Sequence, residues 1–220
     1  MINVLSGGAV QTFVQPMADS FGGDKVVVEF QPMGRLVKTL EGGFPADVVI
    51  VSEDTAARLK LDGTPVARVG VGVGVREGAP LPDLSSADAF KRALLAARSV
   101  VYMDPNIGTS GKHVAALLVR LGIEKEVTSK ARLGTGGQVA EFVATGEVEM
   151  AIHQISEILP VKGVRYAGPL PAELQKFTTY VAAVVSQHRI PLMNQFIAHL
   201  SGAQARQRLG PAGYTSPGER

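Results

Sequence analysis

The apolar positions of the chain fall into short runs and staggered stripes that predict strands alternating with helices. Ile2 to Leu5 is a short β-rich run that ends at Ser6-Gly7-Gly8, and Val10, Phe13, Val14, Met17 and Phe21 then recur at spacings of three and four, one face of a helix. Val26 to Phe30 reads as a second strand, Gly34 to Leu40 as a short helix closed by Gly42-Gly43, and Asp47 to Val51 as an apolar third strand. Strand, helix, strand, helix, strand predicts a parallel sheet, because parallel strands need crossover connections.

A second run of the same kind follows. Val69 to Val75 alternates Val with Gly, a strand whose bare face admits close backbone approach or bending. Ala87 to Ala97 predicts a helix, Val100 to Met103 a strand, and His113 to Leu121 a helix behind Gly108-Thr109-Ser110-Gly111. A Gly134-Thr135-Gly136-Gly137 loop, a helix from Gln138 to Ala144, a strand Glu149 to Ile152 and a last strand Tyr180 to Val185 come next. Helical residues from Met193 to Leu209 close the chain, and Gly213 and Pro217 mark an expected frayed end. Two α/β units with no Pro- or Ser-rich linker predict lobes joined by strand crossovers, with a small-ligand cleft between them.

Composition narrows the function classes. In 220 residues, 45% apolar and 19% charged content describes a globular chain with a sizeable core, which excludes disorder. Lys plus Arg exceeds Asp plus Glu by only 22 to 20, the charges are scattered and there is no Trp, a poor match to a nucleic-acid binder. The absence of Cys removes disulfides, thiolate metal sites and Cys nucleophiles. No apolar run approaches the roughly 18 residues that would embed the chain in a membrane. No basic start or apolar stretch precedes the first strand, so the expected location is cytoplasmic as written, or periplasmic if an upstream signal has been removed.

Chemistry concentrates where strands run into helices. Gly108-Thr109-Ser110-Gly111-Lys112-His113 follows a strand and opens a helix, so its amides and hydroxyls can face an anion with the helix dipole behind them. Asn106 and His113 stand where a nucleotide P-loop needs Gly and Ser or Thr, which leaves a small-anion site or a plain capped turn. Ser6-Gly7-Gly8 has the same placement, and Thr135 sits in a third candidate loop that could equally be a simple turn. Arg35 opens a helix, where a cation is misplaced unless an anion joins it; the alternative is a solvated surface side chain. His153 and Gln154 fall near the carboxyl end of a strand, the edge that faces ligands in open α/β sheets, although His153 could also be a satisfied core or surface residue. The four histidines lack metal spacing, so neither a metal nor a cofactor is expected. Lys112 occupies the last glycine of a Gly-x-Ser-x-Gly elbow, which leaves a hydrolase triad unsupported.

Five stretches in order carry a resemblance: Asn3 to Ala9, Pro45 to Ile50, Asp104 to Gly111, Val143 to Glu149, and Phe196 to Ser201 with Gly213-Tyr214. Together they resemble the type II periplasmic binding proteins of ABC importers, in the molybdate-binding branch. The resemblance implies a two-lobed α/β fold, each lobe a mixed, mostly parallel sheet flanked by helices, with lobe one from residues 1–70 plus 180–220 and lobe two from 71–179. It also implies a small anionic ligand, and an ABC permease as partner if the chain is exported. Family members hold oxyanions with two serines and a tyrosine, whose aligned positions here are Ala9, Met33 and Gln154. Loss of those donors and the presence of Arg35 point from molybdate towards a carboxylate, which guanidinium pairs bidentately. Gln154 to Pro160 and Gly168 to Gln175 are similar to a sub-branch that includes aconitate isomerase.

The expected function is therefore capture of a small anion, an organic carboxylate, by Ser6, Gly7, Arg35, Thr109, Ser110, Thr135 and Gln154. The alternative is a cofactor-independent isomerase of an unsaturated carboxylate, moving a double bond by proton transfer with His153 as base and Glu157 as second candidate.

Overall fold

The computed structural model of the chain describes residues 1–22, 24–136 and 139–218. It divides into two compact units, Met1–Val69 with Thr178–Arg220, and Gly70–Phe177. The chain crosses from one to the other at 69/70 and again at 177/178.

The first unit starts with β1 (Ile2–Gly7), a one-turn 3-10 segment and α1 (Gln11–Asp19), followed by β2 (Val26–Gln31), α2 (Met33–Glu41), β3 (Val48–Ser52), α3 (Glu53–Arg58) and β4 (Thr64–Val69). The second holds β5 (Val71–Arg76), α4 (Ala87–Ala96), β6 (Val100–Met103), α5 (Thr109–Arg120), α6 (Glu124–Thr128), β7 (Ala131–Gly134), α7 (Glu141–Ala144), β8 (Met150–Gln154), α8 (Ile155–Ile158) and β9 (Val164–Pro169). β10 (Thr178–Val184), α9 (Ile190–Ser201) and α10 (Ala203–Leu209) return to the first.

Each unit is built on one five-stranded sheet, in the orders β2-β1-β3-β10-β4 and β7-β6-β8-β5-β9. The two share one plan. Three parallel strands lie side by side, a fourth runs against them (β10 or β5), and an edge strand pairs antiparallel with that fourth. In both, the chain leaves the central strand for one neighbour and returns on its other side. The order therefore reverses between β1 and β3 and between β6 and β8. Helices diverge at such points and open a crevice at the strands' carboxyl ends, which is where open α/β sheets take ligands.

Burial explains the sheets. All five residues of β3 and all five of β8 are buried, as expected of strands covered on both faces. The edge strand β2 alternates half-buried with exposed positions up to Phe30 and ends on buried Gln31. In α1, the predicted stripe of Phe13, Val14 and Met17 is buried to within 1%. In the second unit Val73, Phe90, Leu94, Val100, Leu118 and Ile152 form one core, each side chain of that size contributing roughly 1.5–3 kcal/mol on burial. Gly43 closes α2 at φ +85°, a conformation that glycine adopts without strain.

Several expected elements need correction. Val69 to Val75 is two strands in different sheets, with Val69 ending β4 and Val71 beginning β5. The bare glycine face of β5 does admit close neighbours: a Cβ on Gly72 would stand 2.7 Å from Tyr166, and one on Gly74 would stand 2.9 Å from Val164. The helix expected from His113 begins four residues earlier, at Thr109, because Gly108 takes the extended N-cap conformation. The strand expected to stop at Ile152 continues through His153 and Gln154. Of the Gly134 loop and the helix after it, Gly137 and Gln138 lie outside the described residues, and the helix there is Glu141–Ala144. The closing helix is two, separated at Gly202. Residues 214 and 215 are tied down: Tyr214 is 3% exposed, its hydroxyl donates to Ala9 O at 2.8 Å, and Thr215 bridges to Arg68.

Candidate functional site

In the second unit, the end of β6 and the start of α5 are set by close packing. A Cβ on Gly108 would lie 2.1 Å from Met103 Cγ, and one on Gly111 would lie 2.1 Å from the Met103 carbonyl oxygen. Both glycines are therefore required by the approach of the helix to the strand, and Thr109 and Ser110 between them are brought over the carboxyl end of the sheet. Gly108, as N-cap, has no side chain with which to cap the twelve-residue helix, so its first amides keep their donors for another partner. An acceptor there gains from the helix dipole.

The neighbouring strand β8 delivers two more polar side chains to that place. Gln154 is 2% exposed and its Nε2 donates to Thr109 Oγ1 at 3.3 Å. His153 is 1% exposed, with Nδ1 3.1 Å from Ser110 Oγ. Glu157, one turn on in α8, brings Oε2 to 3.2 Å from His153 Nε2. That approach is too oblique for a hydrogen bond, so buried Nε2 faces a carboxylate but has no aligned partner among the described residues. Thr109, Ser110, His153, Gln154 and Glu157 thus form one cluster at the β6/β8 reversal. His153 is enclosed, with the Ser110 hydroxyl beside Nδ1 and the Glu157 carboxylate, itself only 14% exposed, beside Nε2. Tyr102, one position before the end of β6, has its hydroxyl pKa raised, chiefly by burial and then by Glu124 and Asp104, and stays neutral.

Thr135 is exposed beyond β7 and bonds to none of this cluster among the described residues. Gly134 before it is fixed by packing, since a Cβ there would lie 2.4 Å from Val139.

In the first unit the candidates stand at the corresponding sheet edge. Ser6 is fully buried at the end of β1, and its hydroxyl donates locally to Gly7 O at 3.2 Å. Gly7 lies under Met33 and Tyr180, which would stand 2.9 and 3.0 Å from an added Cβ. Arg35 is in the first turn of α2, whose N-cap is Pro32 and which has no side-chain cap. It is exposed and has no side-chain partner among the described residues.

Sequence reasoning missed Ser52. It ends β3, the strand beside β1, and its Oγ accepts from Thr55 N at 3.4 Å and donates to Thr55 Oγ1 at 2.9 Å. The signal was a serine closing an apolar strand immediately before Glu53-Asp54, a helix-start pattern. The remaining histidines are structural or solvated: His113 Nε2 donates to Leu174 O at 2.8 Å, His199 Nε2 lies 3.1 Å from both Ser20 Oγ and Met17 O, and His188 is exposed. Among the described residues no cluster of side chains could hold a metal ion, and no helix is long and apolar enough to cross a membrane.

Some motifs that carried the sequence resemblance serve the fold. Asp47 clips β1 to β3, with Oδ2 accepting from Asn3 N at 2.8 Å and its own amide donating to Asn3 O at 2.8 Å. Glu147 pairs with Arg132 at 2.6 Å, and Glu149 accepts from the Arg98 amide at 2.8 Å.

Residues 2–215 match the family described as bacterial extracellular solute-binding protein. The chain is similar to an aconitate isomerase of a Pseudomonas species, 31% identical over 95% of this chain and 86% of that protein. Among solved structures it shares its fold with the periplasmic molybdate-binding protein of Azotobacter vinelandii, at a TM-score of 0.77 and 17% identity over 99% of this chain and 100% of that one. The sulfate-binding protein of Mycobacterium tuberculosis has the same fold, at a TM-score of 0.77 and 19% identity over 99% and 87% of the two chains. With a family match that runs almost from end to end, this chain belongs to the bacterial extracellular solute-binding proteins.

Proposed function

We propose that the protein binds a small anion, and specifically an organic carboxylate. The observation that carries this reading is the uncapped start of α5, where Thr109 and Ser110 stand beside two buried polar side chains, Gln154 and His153, at the sheet's reversal point. Neutral donors at a helix N-terminus suit an anion, and they act without burying an unpaired cation. Ser6, Gly7, Arg35 and Thr135 are proposed as further ligand contacts, with Arg35 as the charge partner because planar guanidinium matches planar carboxylate. Relatives named for molybdate, sulfate and aconitate support an anion. The hydrophobic Ala9 and Met33, in the places of two serine donors, favour a carboxylate over a tetrahedral oxyanion.

As a member of an extracellular solute-binding family, the protein is proposed to work outside the cytoplasm and to deliver its ligand to an ABC permease. Titration calorimetry against trans-aconitate, cis-aconitate, citrate, molybdate and sulfate tests the ligand class. The reading expects heat from at least one carboxylate and none from molybdate at comparable concentration; submicromolar molybdate affinity would overturn it.

A second reading, an isomerase of an unsaturated carboxylate, is favoured by one observation: a hydroxyl, an imidazole and a carboxylate in series at Ser110, His153 and Glu157. The proton would leave one allylic carbon for Ser110 Oγ as the serine's own proton passes to His153, the electron pair would spread over the allylic system and its carboxylate, and a proton returned along the same path to the far carbon would complete the shift, so His153 acts through the serine. Deuterium exchange into trans-aconitate in heavy water tests it. Absence of both exchange and isomerisation would leave binding alone.

A further inference from the structure

The binding reading requires Ser110 to donate to an anion, but the same hydroxyl is shared with His153 at 3.1 Å. A hydroxyl has one proton, so the direction of that hydrogen bond decides what Ser110 can offer to a ligand. We propose that His153, governed by Glu157, is the positioning residue of the Ser110 donor, and that anion binding at the start of α5 takes up a proton on the His153–Glu157 pair. The inference rests on the binding reading above.

Two arrangements satisfy the chain of three groups. In the first, His153 is neutral with its proton on Nε2, favoured there by the field of the Glu157 carboxylate 3.2 Å away although the two are not aligned for a hydrogen bond. Nδ1 then accepts from Ser110, whose hydroxyl proton is consumed inward. Ser110 presents only lone pairs to a ligand, and the cluster carries the net negative charge of Glu157. Both features oppose an anion. In the second, one proton from solvent has been added. Nδ1–H donates to Ser110 Oγ, the hydroxyl proton is freed to point at the ligand, and imidazolium with carboxylate sums to zero. No heavy-atom bond forms or breaks; the bound proton is the whole of the chemistry.

Burial is what makes the switch matter. His153 is 1% exposed and Glu157 has a side chain 14% exposed, so water screens their charges poorly. Every element packed on β8 supplies its own charges. α8 brings Glu157, the contact with the ring. α5 carries Lys112, which is exposed, His113, which is bonded to Leu174 O, and Arg120 in its last turn. β6 contributes Tyr102, α7 contributes Glu141, and β5 contributes Arg76, whose place beyond Val75 is at the opposite end of the antiparallel pairing from His153. Among the described residues, Glu157 and Ser110 are the polar side chains recorded against the imidazole nitrogens.

Calorimetry with trans-aconitate tests this from about pH 7 to 9, in buffers of differing ionisation heat, a range in which the ligand's own carboxyl groups are ionised and take up no proton. Uptake approaching one proton per anion is expected at the alkaline end, with affinity falling by up to tenfold per pH unit. Glu157→Gln should flatten that profile by removing the counter-charge, and His153→Gln should flatten it as well; the second variant guards against misfolding of the first. Heat that is independent of buffer, with affinity flat across the range, would overturn the proton switch while leaving binding intact. So would uptake that persists unchanged in both folded variants. No heat from any anion of the panel would overturn the binding reading and this inference with it.

Discussion

Arg35 and Gly111 illustrate two different ways in which one residue can govern this site. Arg35 is a cation at the start of α2 with no side-chain partner among the described residues, a placement that costs about 0.3–1 kcal/mol in dipole repulsion and is relieved by an anion. Replacement by Ala should weaken carboxylate binding at least tenfold, about 1.4 kcal/mol, and Lys should restore only part of it, because an ammonium lacks the planar fork. Unchanged affinity in calorimetry of the folded Ala variant would return Arg35 to the role of a solvated side chain. Gly111 never touches ligand in this account. Its Cβ position is filled by the Met103 carbonyl oxygen at 2.1 Å, so Gly111→Ala must push α5 off β6. A loss of about 1–3 kcal/mol in urea denaturation is expected, with anion binding lost in parallel. The sequence displayed Arg35, Thr109 and Ser110 as candidates through their place after strands. It could not display Gly111 as a packing residue, since close approach of a helix to a distant strand leaves no local pattern.

At the scale of elements, the strands and helices with strong periodicity were readable and the weak ones were not. The α1 stripe and the apolar β3 run stand out because one face or both are buried. β4, β7 and β9 were missed: Thr64–Val69 begins with two exposed residues, one of them Pro65, Ala131–Gly134 is an edge strand with Arg132 and Leu133 exposed, and Val164–Pro169 carries Gly and Pro. The expected Val69 to Val75 strand is β5 with Val69 added, because a Val-Gly alternation runs on through Gly70 without marking that Val69 belongs to the other sheet. His113 on α5 offers a test at this scale. Burial pushes its imidazole pKa down, and its hydrogen bond to Leu174 O only partly offsets this. A depressed value in the folded state means that protonation favours unfolding, so the contribution is intact above the ordinary imidazole range near 6.5 and is lost as pH falls below it. Urea midpoints should therefore drop between about pH 7 and 5, and His113→Gln, which can still donate to Leu174 O, should drop less over the same interval. An equal drop in both would remove His113 from the account.

The whole molecule repeats one sheet plan twice, and each sheet reverses its strand order at the place where the candidate residues gather. That repetition was not visible as a sequence repeat, because it is a repeat of topology and not of residues. A protein of this size in which ligand binds only the folded state should gain about 2.7 kcal/mol at a hundredfold excess over Kd, or a Tm rise of roughly 5–10 °C. Thermal melts with trans-aconitate or citrate should show such a rise, and molybdate at equal concentration should not. A crystal structure with a carboxylate ligand bound decides whether the start of α5 is the anion site. A ligand carboxylate should lie within hydrogen-bond distance of the Thr109 and Ser110 amides at the start of α5. A ligand whose charged groups all lie more than a side-chain length from those two residues would contradict it.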